Sequence, residues 1–122
     1  MRQHIYRLTA PPPSDNRLKA AVNGRLIATK FYREWKEEAG WEIQAQRAEQ
    51  GEVENYPVSV TVSVHDDSWA QHRRDIGNVV KACCDLLVSQ GVLKDDNVKF
   101  VNETRAIYGH GAPSYVIRIE EP

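Results

Sequence analysis

Between His72 and Asn97 the chain gathers a basic pair, an acid, an amide, a lysine and a second pair of acids around one short amphipathic segment. Asp75 stands where a helix should begin, because Ile76, Val79, Val80, Cys83, Leu86 and Leu87 follow at mostly helical spacing. Asn78, Lys81 and Asp85, three and four residues apart, stack along another face, so Asp75 opens a polar stripe and not a core. Gly91 supplies a helix stop, and Lys94-Asp95-Asp96-Asn97 then forms a polar turn. A turn folded back towards Asp75 would bring three carboxylates together. Hard cations such as Mg²⁺ take oxygen ligands and retain several waters, so this set suits a metal-dependent nuclease site, with Lys81 meeting phosphate charge.

The same residues also fit plain structural roles. Asp is a favoured N-cap, Asp-Asp-Asn is ordinary turn chemistry, and a lysine on a polar helix face is commonly just solvated. Spacing alone leaves both readings open.

Resemblance adds to it. Arg73, Arg74, Asp75, Asn78, Lys81, Asp95 and Asp96 follow the signature of the RusA-like crossover junction endodeoxyribonucleases, Holliday-junction resolvases often carried by prophages, and Pro12-Pro13-Ser14-Asp15-Asn16-Arg17 is similar to that family's entry loop. The likeness runs through most of the chain in the right order. It implies a magnesium-dependent endonuclease acting on four-way DNA junctions in recombination and repair, with Mn²⁺ as a possible substitute. Asp75 and Asp96, helped by Asp95, would hold the metal. Lys81 would offset charge in catalysis, and Arg73, Arg74, Asn16, Arg17, Lys19, Arg25 and Asn78 would contact DNA. One position departs from the pattern: Gly77 stands where the family carries its second catalytic aspartate. An alternative follows, a dimer that binds junctions but cuts them weakly or not at all.

At 122 residues the chain is expected to form one domain over residues 1–122, large enough for its own core. No apolar run approaches the roughly 20 residues needed to cross a bilayer, and the first ten residues lack the apolar core of a signal peptide, so a cytoplasmic protein with no membrane partner is expected. Cys83 and Cys84 are adjacent, a geometry unsuited to a normal disulfide or a zinc cluster, and read as buried fillers.

A net charge of −1 conceals an uneven distribution. Eight basic residues face two acids between Arg2 and Lys36, whereas six glutamates face Arg47 alone between Glu37 and Glu54. This asymmetry allows a basic groove on an acidic protein, and it makes the acidic stretch a candidate protein-interaction surface, a third function class.

The elements that would position these residues follow from pattern. His4 to Thr9 reads as a strand stopped by Pro11 to Pro13, and Ser14 to Arg25 as a loop presenting Asn16, Arg17, Lys19 and Arg25. Phe31, Trp35, Ala39 and Ile43, four residues apart, mark a helix from Thr29 to about Glu49, closed by Gly51; Gly40 inside it costs about 1 kcal/mol relative to alanine and allows a kink there. Trp35 and Trp41 read as core or dimer-contact residues. Val58, Val60, Val62 and Val64 alternate with polar residues and demand a strand with one buried face. His65 to Gln71 reads as a polar loop, in which Asp66 or Asp67 is a candidate replacement carboxylate. Val98 to Thr104 and Ser114 to Ile119 read as strands joined by a hairpin-like loop at Gly109-His110-Gly111. The sum is an α/β (α+β) two-layer sandwich, a small mixed sheet with two helices, and the resemblance adds an intertwined homodimer.

Overall fold

The computed structural model describes residues 2–13, 19–22, 25–71 and 76–122, by backbone alone at 19–22, 25–28, 70 and 71. A four-stranded mixed sheet in the order β1-β6-β4-β5 is built from β1 (Gln3–Leu8), β4 (Val58–His65), β5 (Val101–Gly109) and β6 (Ser114–Glu120). Strand β2 (Lys19–Val22) and strand β3 (Arg25–Ala28) form a separate two-stranded sheet. Part of the expected 14–25 loop is therefore an antiparallel ladder, with Lys19 opposite Ala28 and Arg25 opposite Val22. Val22 and Ile27 favour a strand whereas Ala20 and Ala21 do not, so the local pattern does not announce this ladder.

Helix α1 (Lys30–Gln50) begins where expected, because Thr29 accepts a hydrogen bond from the Tyr32 amide at 3.2 Å. Gly51 ends it at φ 76°, the left-handed region in which glycine is favoured. Its buried stripe is Tyr32, Trp35, Ala39 and Ile43, while Phe31 is 61% exposed and Trp41 74% exposed, so neither belongs to the core. The helix runs through Gly40 without ending, and the Gln90 side chain lies where a side chain at that position would project.

Val58, Val60, Val62 and Val64 are fully buried, as the alternation requires. They face α3 (Val79–Ser89), whose Val79, Ala82, Cys83, Cys84, Leu86 and Leu87 are buried. Helix α1 lies along β1 and touches α3, which completes the second layer. Both cysteines are free and buried. Helix α3 ends at Gly91, φ 77°, where the Val92 amide turns back to the Leu87 carbonyl at 2.9 Å and directs Val92 and Leu93 into the core.

Two connections differ from the sequence pattern. Residues Asp67–Gln71 form a short helix, α2, instead of a plain loop. Strands β5 and β6 do not pair with each other; β4 lies between them, parallel to β5 and antiparallel to β6. Their connection crosses the end of β4, and Gly109 permits it, since a Cβ there would fall 2.4 Å from the His65 ring. Asp67 holds the crossing by accepting from the Gly111 amide at 3.0 Å. Strand β5 also starts at Val101, because Asn97 to Phe100 form a turn that leaves Val98 84% exposed.

Candidate active site

The turn after α3 is held by its own polar groups. Asp95 accepts from the Asp96 amide at 2.7 Å and from the Asn97 side-chain amide at 3.2 Å, and Asn97 accepts from the Lys99 amide at 2.9 Å. Beneath the turn, Phe100 packs edge-on to Tyr56 with ring centroids 5.2 Å apart, and the Lys94 ammonium lies 5.6 Å from the centre of the Tyr56 ring. Tyr56 thus anchors both ends of the turn. No sequence periodicity marks it, because it sits in the irregular segment before β4. With both oxygens of Asp95 engaged in shaping the turn, Asp96 remains the carboxylate with no hydrogen bond or ion pair to a described residue.

Asp95 and Asp96 line a cleft of about 390 Å³ together with Tyr32 and Lys36 of α1 and Asp85, Val88 and Ser89 of α3. Tyr32 is buried and donates its hydroxyl to Asp85 at 3.1 Å; burial, and then the Asp85 carboxylate, push its pKa well above the ordinary phenol value. Lys36 lies 5.4 Å from the centre of the Tyr32 ring and forms no ion pair among the described residues. Cys84 reports on the same neighbourhood. Burial raises its thiol, the Asp96 and Asp85 carboxylates raise it further, and Lys81 lowers it, for a pKa of about 11. Helical spacing puts Lys81 and Asp85 on one face of α3, and the turn brings Asp96 to the cleft that Asp85 lines. Tyr32 and Lys36 were not legible as site residues, since they sit on α1, far away in sequence.

Gly77 is exposed in a short 3-10 turn, Ile76–Asn78, that leads into α3, and Asn78 is half-buried. Position 77 therefore opens onto solvent at the start of the helix. Asp75, Arg73 and Arg74 lie outside the described residues, as do Asn16 and Arg17. Lys19 and Arg25 belong to the β2–β3 ladder. Among the described residues no three His, Cys, Asp or Glu side chains converge as a metal-binding group. The exposed oxygen donors of Asp96 and Asp95 suit a hard divalent cation in kind, and Asp75 would have to complete the set.

Asp66, a candidate replacement carboxylate, is already engaged within the fold. It is buried, accepts from the Ser68 amide and hydroxyl at 3.0 and 2.7 Å and from the Tyr115 hydroxyl, and so caps α2. Asp67 is exposed but is engaged with Gly111 and lies 3.3 Å from His110.

Residues 9–120 match the sequence profile of Endodeoxyribonuclease RusA. The chain is also 27% identical over 115 residues to a crossover junction endodeoxyribonuclease RusA of Aquifex aeolicus, covering 94% of this chain and 88% of that protein. With a mixed sheet carrying two principal helices, an acidic turn that shares a cleft with Asp85 of the second, and a match spanning nearly the whole sequence, the chain belongs to the RusA family of endodeoxyribonucleases.

Proposed function

We propose that this protein is a structure-selective DNA endonuclease that resolves four-way junctions by paired nicks in recombination and repair. Family membership supports the nuclease reading, and the single observation that carries it to these residues is the cleft in which Asp95 and Asp96 meet Asp85 of α3 and Lys36 of α1. Asp96 and Asp75, with Asp95, would hold Mg²⁺ or Mn²⁺, which when bound supplies a Lewis acid and an activated water at the scissile phosphate. Asp95 keeps the turn in shape so that the Asp96 carboxylate points outward. Lys81 offsets negative charge on the phosphate, while Arg73, Arg74, Asn16, Arg17, Lys19, Arg25 and Asn78 position the DNA backbone. A homodimer would place two such sites on symmetry-related strands of a junction.

A second reading, junction binding with weak or absent cleavage, rests on Gly77, whose exposed position at the entrance to α3 offers no carboxylate. One experiment separates the two: purified protein is incubated with labelled four-way DNA in Mg²⁺, in Mn²⁺ and with chelator. Paired nicks that disappear with chelator support the endonuclease. A retarded complex without nicks in either metal supports the binding protein, and no complex removes both.

A further inference from the structure

The exposed side of α1 carries a feature that the nuclease reading does not use. At 100° per residue, Glu34, Glu37, Glu38 and Trp41 lie on the side of the helix opposite Tyr32, Trp35, Ala39 and Ile43. The indole of Trp41 is 74% exposed and stands as a ridge between two adjoining hollows of about 300 and 310 Å³. One is lined by Glu37, Gly40, Trp41, Gln44 and Gln90, the other by Glu34, Glu37, Glu38 and Trp41. The floor of the first is fixed, because Gln44 donates to both the side-chain oxygen and the carbonyl of Gln90, at 2.9 and 3.0 Å, while Gly40 contributes no side chain to fill it. Glu34 has Lys30 at 3.8 Å, but Glu37 and Glu38 form no ion pair among the described residues, and Arg33, one turn before Glu37, is not bonded to it.

We propose that this face docks a basic segment of another protein, one apolar side chain seated beside Trp41 and flanking arginine or lysine side chains meeting Glu37 and Glu38. Charge decides the occupant. With Glu34 offset by Lys30, Glu37 and Glu38 beside an exposed indole still repel a phosphate backbone and attract cations, and a guanidinium or ammonium also gains from lying over the indole face. The large aromatic supplies the kind of anchor on which interfaces concentrate their energy. The face lies outside the proposed nuclease machinery, so a partner held here leaves that cleft open.

The test uses intrinsic fluorescence, because Trp35 and Trp69 are 4% and 3% exposed, which makes Trp41 the indole that acrylamide reaches. The probe is a short amidated peptide with a central leucine flanked by arginines, compared with one in which the leucine is glycine and one in which the arginines are glutamates. Binding of the first should protect Trp41 from acrylamide, with affinity about tenfold weaker for the glycine peptide and no binding of the acidic one. Trp41→Ala and the double variant Glu37→Gln, Glu38→Gln should each weaken it by about tenfold, read by calorimetry, with junction binding unchanged. Equal affinity for the leucine and glycine peptides, or unchanged affinity in Trp41→Ala, overturns the proposal by reducing the contact to unspecific charge. Protection of Trp41 without peptide that is lost on dilution also overturns it, because a second copy of the chain would then be the occupant.

Discussion

At the scale of single residues, the site depends on which carboxylates are engaged and which are available. Asp95 is committed to the turn, whereas Asp96 is exposed and makes no bond to a described residue. Asp96→Asn keeps the shape of the side chain and removes its charge. Junction nicking in Mg²⁺ should then fall by more than the roughly 10–100-fold typical of losing an outer partner of a metal ligand, while junction affinity by gel retardation stays the same or rises. Equal loss of both would make Asp96 a structural residue. Gly77 is the converse case. It is exposed at the entrance to α3, so Gly77→Asp buries no charge and gains from the positive end of the helix. Nicking compared at equal bound fraction should rise by roughly tenfold. A folded, junction-binding variant that cuts no faster would show that Gly77 is not a vacated ligand position.

At the scale of elements, α1 forms one wall of the cleft, and its start is set by a single cap. The Thr29 side chain satisfies the Tyr32 amide, and Tyr32 in turn donates to Asp85 on α3. Thr29→Ala should cost about 1 kcal/mol in urea unfolding, the usual value of an N-cap. An unchanged midpoint would mean that packing of the first turn, and not the cap, fixes the start of the helix. Helix positions from Val79 onward were legible because both faces of α3 obey one period, whereas Ile76–Asn78, expected inside the helix, form a 3-10 turn before it. On α1 the expected buried residue Phe31 is exposed and its neighbour Tyr32 is buried. Both are aromatic at adjacent positions, and apolarity alone does not say which of them will reach a polar partner on another helix.

At the scale of the whole molecule, the two ends of the chain are closed on each other. His4 and Glu121 are both buried, with the imidazole Nε2 2.6 Å from the carboxylate and Nδ1 2.9 Å from the Gln50 carbonyl. Glu121 also accepts from the backbone amides of Glu54 and Asn55 at 3.2 and 2.9 Å. Burial by itself would raise its pKa, but the hydrogen bonds from His4, Asn55 and Glu54 lower it from 4.5 to about 2. A carboxylate depressed in the folded state contributes stability that is full above its unfolded pKa and is lost as pH falls through its folded one. The wild-type protein should therefore lose stability between pH 4.5 and about 2 more steeply than Glu121→Gln, followed by urea unfolding at each pH. Parallel curves would place the acid sensitivity elsewhere.

The sequence by itself determined the parts whose physics is local. Alternating valines required β4, a 3.6-residue period and glycine stops required α1 and α3, and the order of motifs implied the family. It also placed Lys81 and Asp85 on one helix face, because that depends only on helical geometry. Tertiary structure decided everything that rests on contacts between distant segments. Two consecutive strands, β5 and β6, are separated by β4, since the valine face of β4 is buried most fully at the centre of the sheet. Asp66 became a buried cap when Tyr115, from the last strand, arrived to hold it. Tyr32 and Lys36 joined the cleft for the same reason: α1 packs against α3, and side chains fifty residues apart in the chain become neighbours only when the two layers close.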